Sequence, residues 1–206
     1  NLDIIKIASC SADDWPLLEK VASANKPVII STGGLKINEI DDLVSFFSHK
    51  VVDFALLHCV ALYPSPNESI NMNFIDKLKK RYPEIPIGFS GHEAPENNDI
   101  IKVAISKKSK IFERHVGVET EEIKLNAYSM NPSQVEKWIQ AALLTKTICG
   151  DENKVITINE KESLQSLKRG VYCKKAIKKG ELISSKHVFF AMPCQDGQTT
   201  SGMFGR

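Results

Sequence analysis

The sequence lacks the long apolar runs that a membrane-spanning helix requires. No stretch approaches the roughly 20 uninterrupted apolar residues of a bilayer span, and the first residues carry no signal-peptide pattern. Neither charge sign is in large excess, because 27 Lys and Arg residues stand against 25 Asp and Glu. This balance argues against an extended nucleic-acid surface. We therefore expect a cytoplasmic protein of globular composition.

Cysteine pairs are also missing. The chain contains 5 cysteines, an odd number, and they are widely spaced with no Cys-x-x-Cys motif. Neither a disulfide framework nor a structural zinc site is indicated. A reducing compartment fits this pattern best.

Five short apolar runs are present in the first 115 residues, each followed by small or polar residues. A run that is apolar throughout is typical of a strand buried on both faces, and segments of helical periodicity lie between these runs. The pattern predicts a parallel α/β sheet, either part of a (βα)8 barrel or a doubly wound sheet. The predicted strands lie within residues 3–9, 27–33, 54–59, 86–92 and 110–115, and the helices within 14–22, 37–47, 74–82, 99–106 and 133–147.

The composition changes after Gly150. Turn residues at 150–154 separate the sheet region from short predicted strands at 170–173, 176–181 and 188–191. We expect one domain over residues 1–150 and a small, mostly β, second domain over 151–206. Because the first strand begins almost at Asn1 and the second domain is too short for its own core, we expect the chain to be a fragment.

Two histidines fall at the ends of neighbouring predicted strands. His92 ends the fourth run and His115 ends the fifth. The carboxyl ends of parallel strands meet at the edge where ligands bind. The two imidazoles are therefore candidate ligands of a divalent metal, with carboxylates or water completing its shell. The alternative is that each is a buried, hydrogen-bonded histidine without a ligand.

A lysine and several hydroxyls occupy the same predicted edge. Lys6 lies on the first run, and Ser9, Ser31 and Ser90 lie at successive strand ends. These side chains suit a phosphate or carboxylate, which they would bind through charge-assisted hydrogen bonds, although hydroxyls at such positions also cap loops. Tyr63 follows the third run in a Tyr-Pro-Ser-Pro segment, which is extended and rigid, and is a candidate substrate contact.

Taken together, these motifs resemble the sialic acid synthase (N-acetylneuraminate synthase) family. Ordered agreement covers most of residues 3–132, and residues 169–193 are similar to the beginning of that family's antifreeze-like (SAF) domain. The matching stretches are Lys-Ile-Ala-Ser at 6–9, residues 17–22 and 26–33, Leu-Leu-His-Cys at 56–59 with Tyr-Pro-Ser-Pro at 63–66, Gly-Phe-Ser-Gly-His at 88–92, and Glu-Arg-His at 113–115.

The resemblance implies a fold and an activity. The first unit would be the later strands of a TIM barrel, followed by a truncated SAF domain, and the isolated chain would be inactive because three earlier βα units are missing. The parent enzyme would condense phosphoenolpyruvate with an N-acyl sugar and release phosphate. It would be a homodimer, since the family's SAF domain covers the partner's barrel.

The resemblance also implies roles for the strand-end residues. Lys6, Ser9, Ser31 and Ser90 would hold phosphoenolpyruvate, and Tyr63 would contact substrate. His92 and His115 would bind Mn²⁺ or Mg²⁺, which would act as a Lewis acid on the sugar aldehyde. Lys6 and the two histidines would thus be the catalytic residues.

Several positions depart from the family pattern, mainly on the sugar side. Loss of a polar contact in a buried pocket changes which hydroxyl and acyl groups it accepts. We therefore expect a related nonulosonic acid as the product rather than sialic acid itself. The departures are Ser11 for glutamate, Ala61 for asparagine, Gly91 for aspartate, Leu125 or Asn126 for aspartate, and Met192 for arginine.

Two functions from different classes are compatible with these features. The first is a metal-dependent synthase, favoured by Lys6, His92 and His115. The second is a sugar-binding or assembly module that keeps the scaffold without turnover, favoured by Ser11, Ala61 and Met192. Sugar-dependent phosphate release separates them.

Overall fold

The first compact unit, Asn1–Gly150, is built on a sheet of five parallel strands. The computed structural model describes residues 2–205. The strands lie side by side in chain order, as successive strands do in a (βα)8 barrel, whereas a doubly wound sheet reverses its order part-way. The doubly wound alternative is therefore wrong. The strands are β1 (Ile5–Ile7), β2 (Val28–Ser31), β3 (Phe54–Cys59), β4 (Ile87–Gly91) and β5 (Phe112–Arg114).

A helix follows each strand, and the first four helices bury an apolar face against the sheet. In α2 the residues Ile40, Leu43 and Phe47 recur at helical spacing and are 1% exposed or less. They meet strand residues such as Ile30 and Leu56, which are also fully buried. The helices are α1 (Trp15–Ala22), α2 (Ile37–His49), α3 (Phe74–Arg81), α4 (Asp99–Ser106) and α5 (Pro132–Cys149), so all five predicted helices are confirmed to within a few residues.

The Asn-Pro-Ser sequence at 131–133 predicts the start of helix α5, with Ser133 and Glu136 as its capping box; the helix begins at Pro132 as expected, but its cap is Asn131. Asn131 caps it, because its side chain accepts a hydrogen bond from Gln134 N at 3.0 Å while Gln134 Oε1 accepts from Asn131 N at 2.8 Å. Pro132 then takes the first helical position, where its missing N–H costs nothing. No helix among residues 2–205 is both long and apolar enough to cross a membrane.

The second unit, Asp151–Arg206, contains one helix and one antiparallel pair of strands. The predicted strands at 170–173 and 188–191 are confirmed as β6 (Gly170–Cys173) and β7 (Val188–Ala191). The mostly β description is wrong for α6 (Ile158–Leu167), which Thr157 caps by accepting a hydrogen bond from Glu160 N at 3.2 Å.

The strand predicted at 176–181 is also wrong, because this segment contains a turn. Glu181 N donates to the carbonyl of Lys178 at 3.0 Å, and the Glu181 carboxylate accepts from Lys178 N at 3.0 Å. Gly180 takes a φ of 86°, a left-handed conformation that ends the turn and that other residues adopt only with strain. The Lys-Lys-Gly-Glu sequence thus favours a reversal over an extended strand.

Candidate active site

Lys6, Ser31 and Glu113 converge at the carboxyl edge of the sheet. Lys6 Nζ lies 3.3 Å from Glu113 Oε2 and donates to the carbonyl of Ile7 at 3.0 Å. The Ser31 hydroxyl, which is buried, donates to the same Glu113 oxygen at 3.4 Å. The strands therefore bring the predicted Lys6 and Ser31 together, with a carboxylate that sequence reasoning did not assign.

Ser9 and the loop after β2 form the wall beside this cluster. Ser9 Oγ accepts a hydrogen bond from Gly33 N at 2.9 Å. A Cβ at position 33 would lie 2.8 Å from that hydroxyl and 3.1 Å from Cys59 Sγ, so glycine allows the two loops to approach this closely. The predicted Ser9 thus lies beside the cluster with its hydroxyl already used in a backbone contact.

Ser90 is buried on β4 with its neighbours in register. It pairs with Cys59 on β3 and with Glu113 on β5, and only 3% of its surface is exposed. Residues paired across adjacent parallel strands direct their side chains to the same face of the sheet. Ser90 therefore lies on the face that carries Glu113.

His92 is buried and held in one tautomer. Its Nδ1 lies 3.1 Å from the carbonyl of Val60, an acceptor only, so Nδ1 carries the proton and Nε2 keeps its lone pair. Burial lowers the pKa of His92 below its usual 6.5, and the charges of His115 and Arg114 act in the same direction. The imidazole is therefore neutral at physiological pH, which is the form that binds metals.

His92, His115, Tyr63 and Tyr128 form a cluster of four rings. The two imidazole centroids are 5.1 Å apart. Tyr63 lies 4.3 Å from His92, and Tyr128 lies 5.0 Å from His115 and 6.1 Å from His92. Tyr63 is half exposed, and burial is the main cause that raises its pKa above 10.0. The predicted His92, His115 and Tyr63 are thus brought together. They lie beside Tyr128, which was not predicted from the sequence.

The loop that carries Tyr63 is tied to His92. Ser65 N donates to the backbone carbonyl of His92 at 2.9 Å. The Ser65 hydroxyl donates to the carbonyl of Leu62 at 2.8 Å, and Val60, at the start of this loop, accepts from the His92 side chain. The loop thus contacts the histidine at both of its ends.

A buried ion pair flanks the histidines. Arg114 and Glu93 are 3% and 1% exposed at the side chain, and Arg114 NH1 lies 2.7 Å from Glu93 Oε2. Burial raises the pKa of Glu93 and lowers that of Arg114, while each charge opposes the shift of its partner. An aspartate at Gly91 would meet the Glu93 carboxylate, since a Cβ there would lie 3.0 Å from Glu93 Oε1 and closer still to Oε2. The departure at position 91 therefore has a steric reason.

The site offers two protein ligands to a metal. Among residues 2–205, no three His, Cys, Asp or Glu side chains are grouped so that they could hold a metal ion. The residues that could contribute ligands are His92 and His115, whose ring centroids lie 5.1 Å apart, and a divalent cation bound by them would need oxygens of water or substrate to complete its shell. Imidazole nitrogens favour a transition metal over Mg²⁺, which prefers oxygen.

The other buried histidine of β3 has a structural role. His58 is 5% exposed, and its Nε2 lies 2.6 Å from the carbonyl of Ile70. Its ring packs between Phe74 and Phe89, with centroids 5.5 and 5.9 Å away. His58 therefore fastens the loop after β3 to the sheet.

The segment after β5 explains another departure. Leu125 packs on Gly117, where a Cβ would lie 2.6 Å from Leu125 Cδ2. Asn126 Oδ1 accepts a hydrogen bond from Tyr128 N at 3.1 Å. Where the resemblance places an aspartate, the chain thus has an apolar contact and a turn that holds Tyr128 near the histidines.

Sequence comparison identifies the fold family. The model of the NeuB family matches residues 1–154 of the chain. The chain belongs to the NeuB family. The resemblance inferred from the motifs is therefore confirmed.

Named relatives of this NeuB chain extend well beyond its length. Spore coat polysaccharide biosynthesis protein E of Chromobacterium violaceum has a crystal structure that aligns with a TM-score of 0.87 and 40% identity, over 100% of this chain and 61% of that one. Human N-acetylneuraminate-9-phosphate synthase is 26% identical over 89% of this chain and 51% of its own. N,N'-diacetyllegionaminic acid synthase of Campylobacter jejuni is 26% identical over 94% and 58%. The chain thus spans between half and two thirds of these proteins.

Proposed function

We propose that the full-length protein carrying this chain condenses phosphoenolpyruvate with an N-acyl sugar to form a sialic-acid-like nonulosonic acid. The observation that carries the proposal is the juxtaposition of two groups at one sheet edge. A lysine and serine cluster suits an anion, and a pair of imidazoles beside it suits a metal. Membership of the NeuB family supports the same reaction class.

Lys6, Ser31 and Ser90 would bind the phosphate and carboxylate of phosphoenolpyruvate. The positively charged side chain of Lys6 is one third exposed, and the Ser31 hydroxyl contacts the same oxygen of Glu113 as Lys6 does. Glu113 now neutralises Lys6, so an incoming anion would compete with this carboxylate. Glu113 would then hold Lys6 in place before the substrate binds. Ser9 would shape the wall through its contact with Gly33.

His92 and His115 would hold Mn²⁺. The bound cation would supply Lewis acidity toward the aldehyde oxygen of the open-chain sugar. The chain's own contribution is a neutral His92 whose Nε2 keeps its lone pair, because Nδ1 donates to the carbonyl of Val60 at 3.1 Å. The buried surroundings of His92 would strengthen each electrostatic contact by limiting water.

The proposed reaction forms one carbon–carbon bond and one carbon–oxygen bond to water, and it breaks the carbon–oxygen bond to phosphate. The C3 carbon of phosphoenolpyruvate attacks the aldehyde carbon. Water adds to C2 of the resulting cation; one of its protons goes to the former aldehyde oxygen, which becomes a hydroxyl, and the other leaves with the phosphate. Phosphate then leaves with cleavage of its bond to C2, which yields the 2-keto acid. Lys6 would offset the charge of the departing phosphate.

Tyr63 and Tyr128 would bound the sugar side of the site. Both rings lie beside the histidines, where the aldehyde would be placed. Ala61 stands where the resemblance places a polar group, and Leu125 or Asn126 stands where it places an aspartate. We therefore propose an acceptor other than N-acetylmannosamine.

The second unit would be the beginning of an SAF domain, and the protein would be a homodimer. Support for the SAF assignment comes from the resemblance of residues 169–193. Met192 is 63% exposed, so it lies at the surface where a partner could reach it. An apolar residue at this point would contact a partner's sugar differently from arginine.

The test is phosphate release by the full-length protein with Mn²⁺, phosphoenolpyruvate and a panel of N-acyl hexosamines. We expect sugar-dependent release that falls at least 100-fold in His92→Ala and His115→Ala, a loss on the scale of removing a metal ligand. Release unaffected by either substitution would remove the metal assignment. Sugar binding without release by the wild-type protein would favour the non-catalytic module instead.

A further inference from the structure

The buried pair of Glu93 and Arg114 links the two chain segments that carry the histidines. Besides the contact of 2.7 Å between Arg114 NH1 and Glu93 Oε2, Arg114 NH2 donates to the backbone carbonyl of Glu93 at 2.9 Å. Glu93 directly follows His92, and Arg114 directly precedes His115. One guanidinium therefore contacts both the side chain and the backbone of the residue next to His92.

The contacts between Glu93 and Arg114 lie just beyond the last paired residues of β4 and β5. The last register pair between β4 and β5 joins Gly91 to Arg114. His92 and His115 both lie one residue beyond it, outside the named strands. The contacts of Arg114 with Glu93 thus continue the link between the segments past the end of the ladder.

A side chain at position 91 would occupy the space that the Glu93 carboxylate fills beside Arg114. A Cβ at Gly91 would lie 2.9 Å from Phe89 Cε1 and 3.0 Å from Glu93 Oε1, and closer still to Glu93 Oε2. Ordinary contacts between such atoms are about 3.5 Å or longer. A carboxylate at position 91 would therefore have to displace that of Glu93, and the Phe89 ring would also have to shift by about 0.5 Å.

We infer that Glu93 and Arg114 are positioning residues that fix the separation and orientation of His92 and His115. Neither side chain is exposed to the site, so the pair acts through the two backbone segments. A buried charge that loses its partner is strongly unfavourable, which makes the pair resist displacement. The role rests on the proposed function, because it assumes that the two imidazoles bind one cation.

The experiment moves the carboxylate. Mn²⁺ affinity of the full-length protein is measured by isothermal titration calorimetry for wild type, Glu93→Gln, and the double variant Gly91→Asp/Glu93→Ala. We expect Glu93→Gln to bind Mn²⁺ about 10- to 100-fold more weakly, as for other groups that orient metal ligands, and the double variant to recover to within about threefold of wild type. Turnover should fall in Glu93→Gln with the KM for phosphoenolpyruvate unchanged, because Lys6 is untouched.

Asp41→Asn is the matched control. It breaks an ion pair with Arg81 at the same distance of 2.7 Å, but on the surface between α2 and α3. Mn²⁺ affinity should be unchanged in this variant. Circular dichroism establishes that each variant is folded.

Wild-type Mn²⁺ affinity in a folded Glu93→Gln variant would overturn the positioning role and leave the proposed function standing. If that variant does not fold, wild-type Mn²⁺ affinity in a folded Glu93→Gln/Arg114→Gln variant, which removes both buried charges together, would overturn it equally. Absence of Mn²⁺ binding by wild type, or undiminished binding by His92→Ala, would instead overturn the metal site itself and the role with it.

Discussion

Gly88 is the position where one methyl group should do the most damage to the sheet. A Cβ there would lie 2.5 Å from Leu57 Cδ2 and closer still to the backbone carbonyl oxygen of Ile111. Contacts of this kind normally need about 3.5 Å, so Gly88→Ala requires roughly 1 Å of movement. The Leu57 side chain can shift, but the carbonyl cannot, because it also accepts from Phe89 N at 2.9 Å.

The magnitude follows from two opposing effects. Overpacking of this kind costs about 3 kcal/mol, and the loss of chain entropy in unfolded alanine returns up to about 1 kcal/mol. A net loss of about 2 kcal/mol corresponds to a fall in melting temperature of roughly 4–8 °C for a chain of this size. Because the displaced strand is β5, Mn²⁺ binding through His115 should weaken as well.

Thermal unfolding followed by circular dichroism measures this effect. Gly202→Ala is the control, since a Cβ at Gly202 meets nothing within 4 Å and its backbone is not in the left-handed region. The control should melt within about 1 °C of wild type. If Gly88→Ala also melted within that margin, the strand spacing described above would be wrong.

Two further predictions concern single side chains. Burial lowers the pKa of His58 below 6.5, and the hydrogen bond to Ile70 opposes this shift. As the pH falls below 6.5, the imidazole is therefore protonated in the unfolded chain before it is protonated in the folded chain, which favours unfolding. Urea titrations between about pH 7 and pH 5 should therefore show a steeper loss of stability in wild type than in His58→Gln, and parallel curves would contradict this account. Tyr128→Ala should raise the KM of the sugar while leaving that of phosphoenolpyruvate unchanged, because the ring lies 5.0 Å from that of His115, on the proposed sugar side. Equal increases in both constants would show that Tyr128 acts on the whole site, and Tyr128→Phe is the control that keeps the ring.

The parallel sheet could be predicted because its strands are apolar on both faces and its helices have one apolar stripe. The strand order could not, since local periodicity does not encode which strands become neighbours. Helix α6 (Ile158–Leu167), like α5, buries none of its residues and lacks an apolar core stripe, and its one sequence signal was Thr157 followed three residues later by Glu160, a capping pattern. At 176–181, the turn chemistry of Gly180 decided the conformation.

Lys6, His92 and His115 could be located because parallel topology places strand ends at one edge. Glu113, Glu93 and Arg114 could not, because their roles depend on which charges meet across neighbouring strands. A signal was present nonetheless. Glu113 and Arg114 are adjacent charged residues in a three-residue strand that begins with Phe112, and a charged side chain that becomes buried there, as Arg114 does, requires a partner.

The loop bearing Tyr63 and the imidazole of His92 are mechanically coupled. Ser65 N donates to the backbone carbonyl of His92 at 2.9 Å, and the Val60 carbonyl accepts from the His92 ring at 3.1 Å. A movement of this loop backbone must therefore break one of these bonds or shift His92. A loop substitution that changes which acceptors bind should consequently also change the Mn²⁺ affinity of the proposed site.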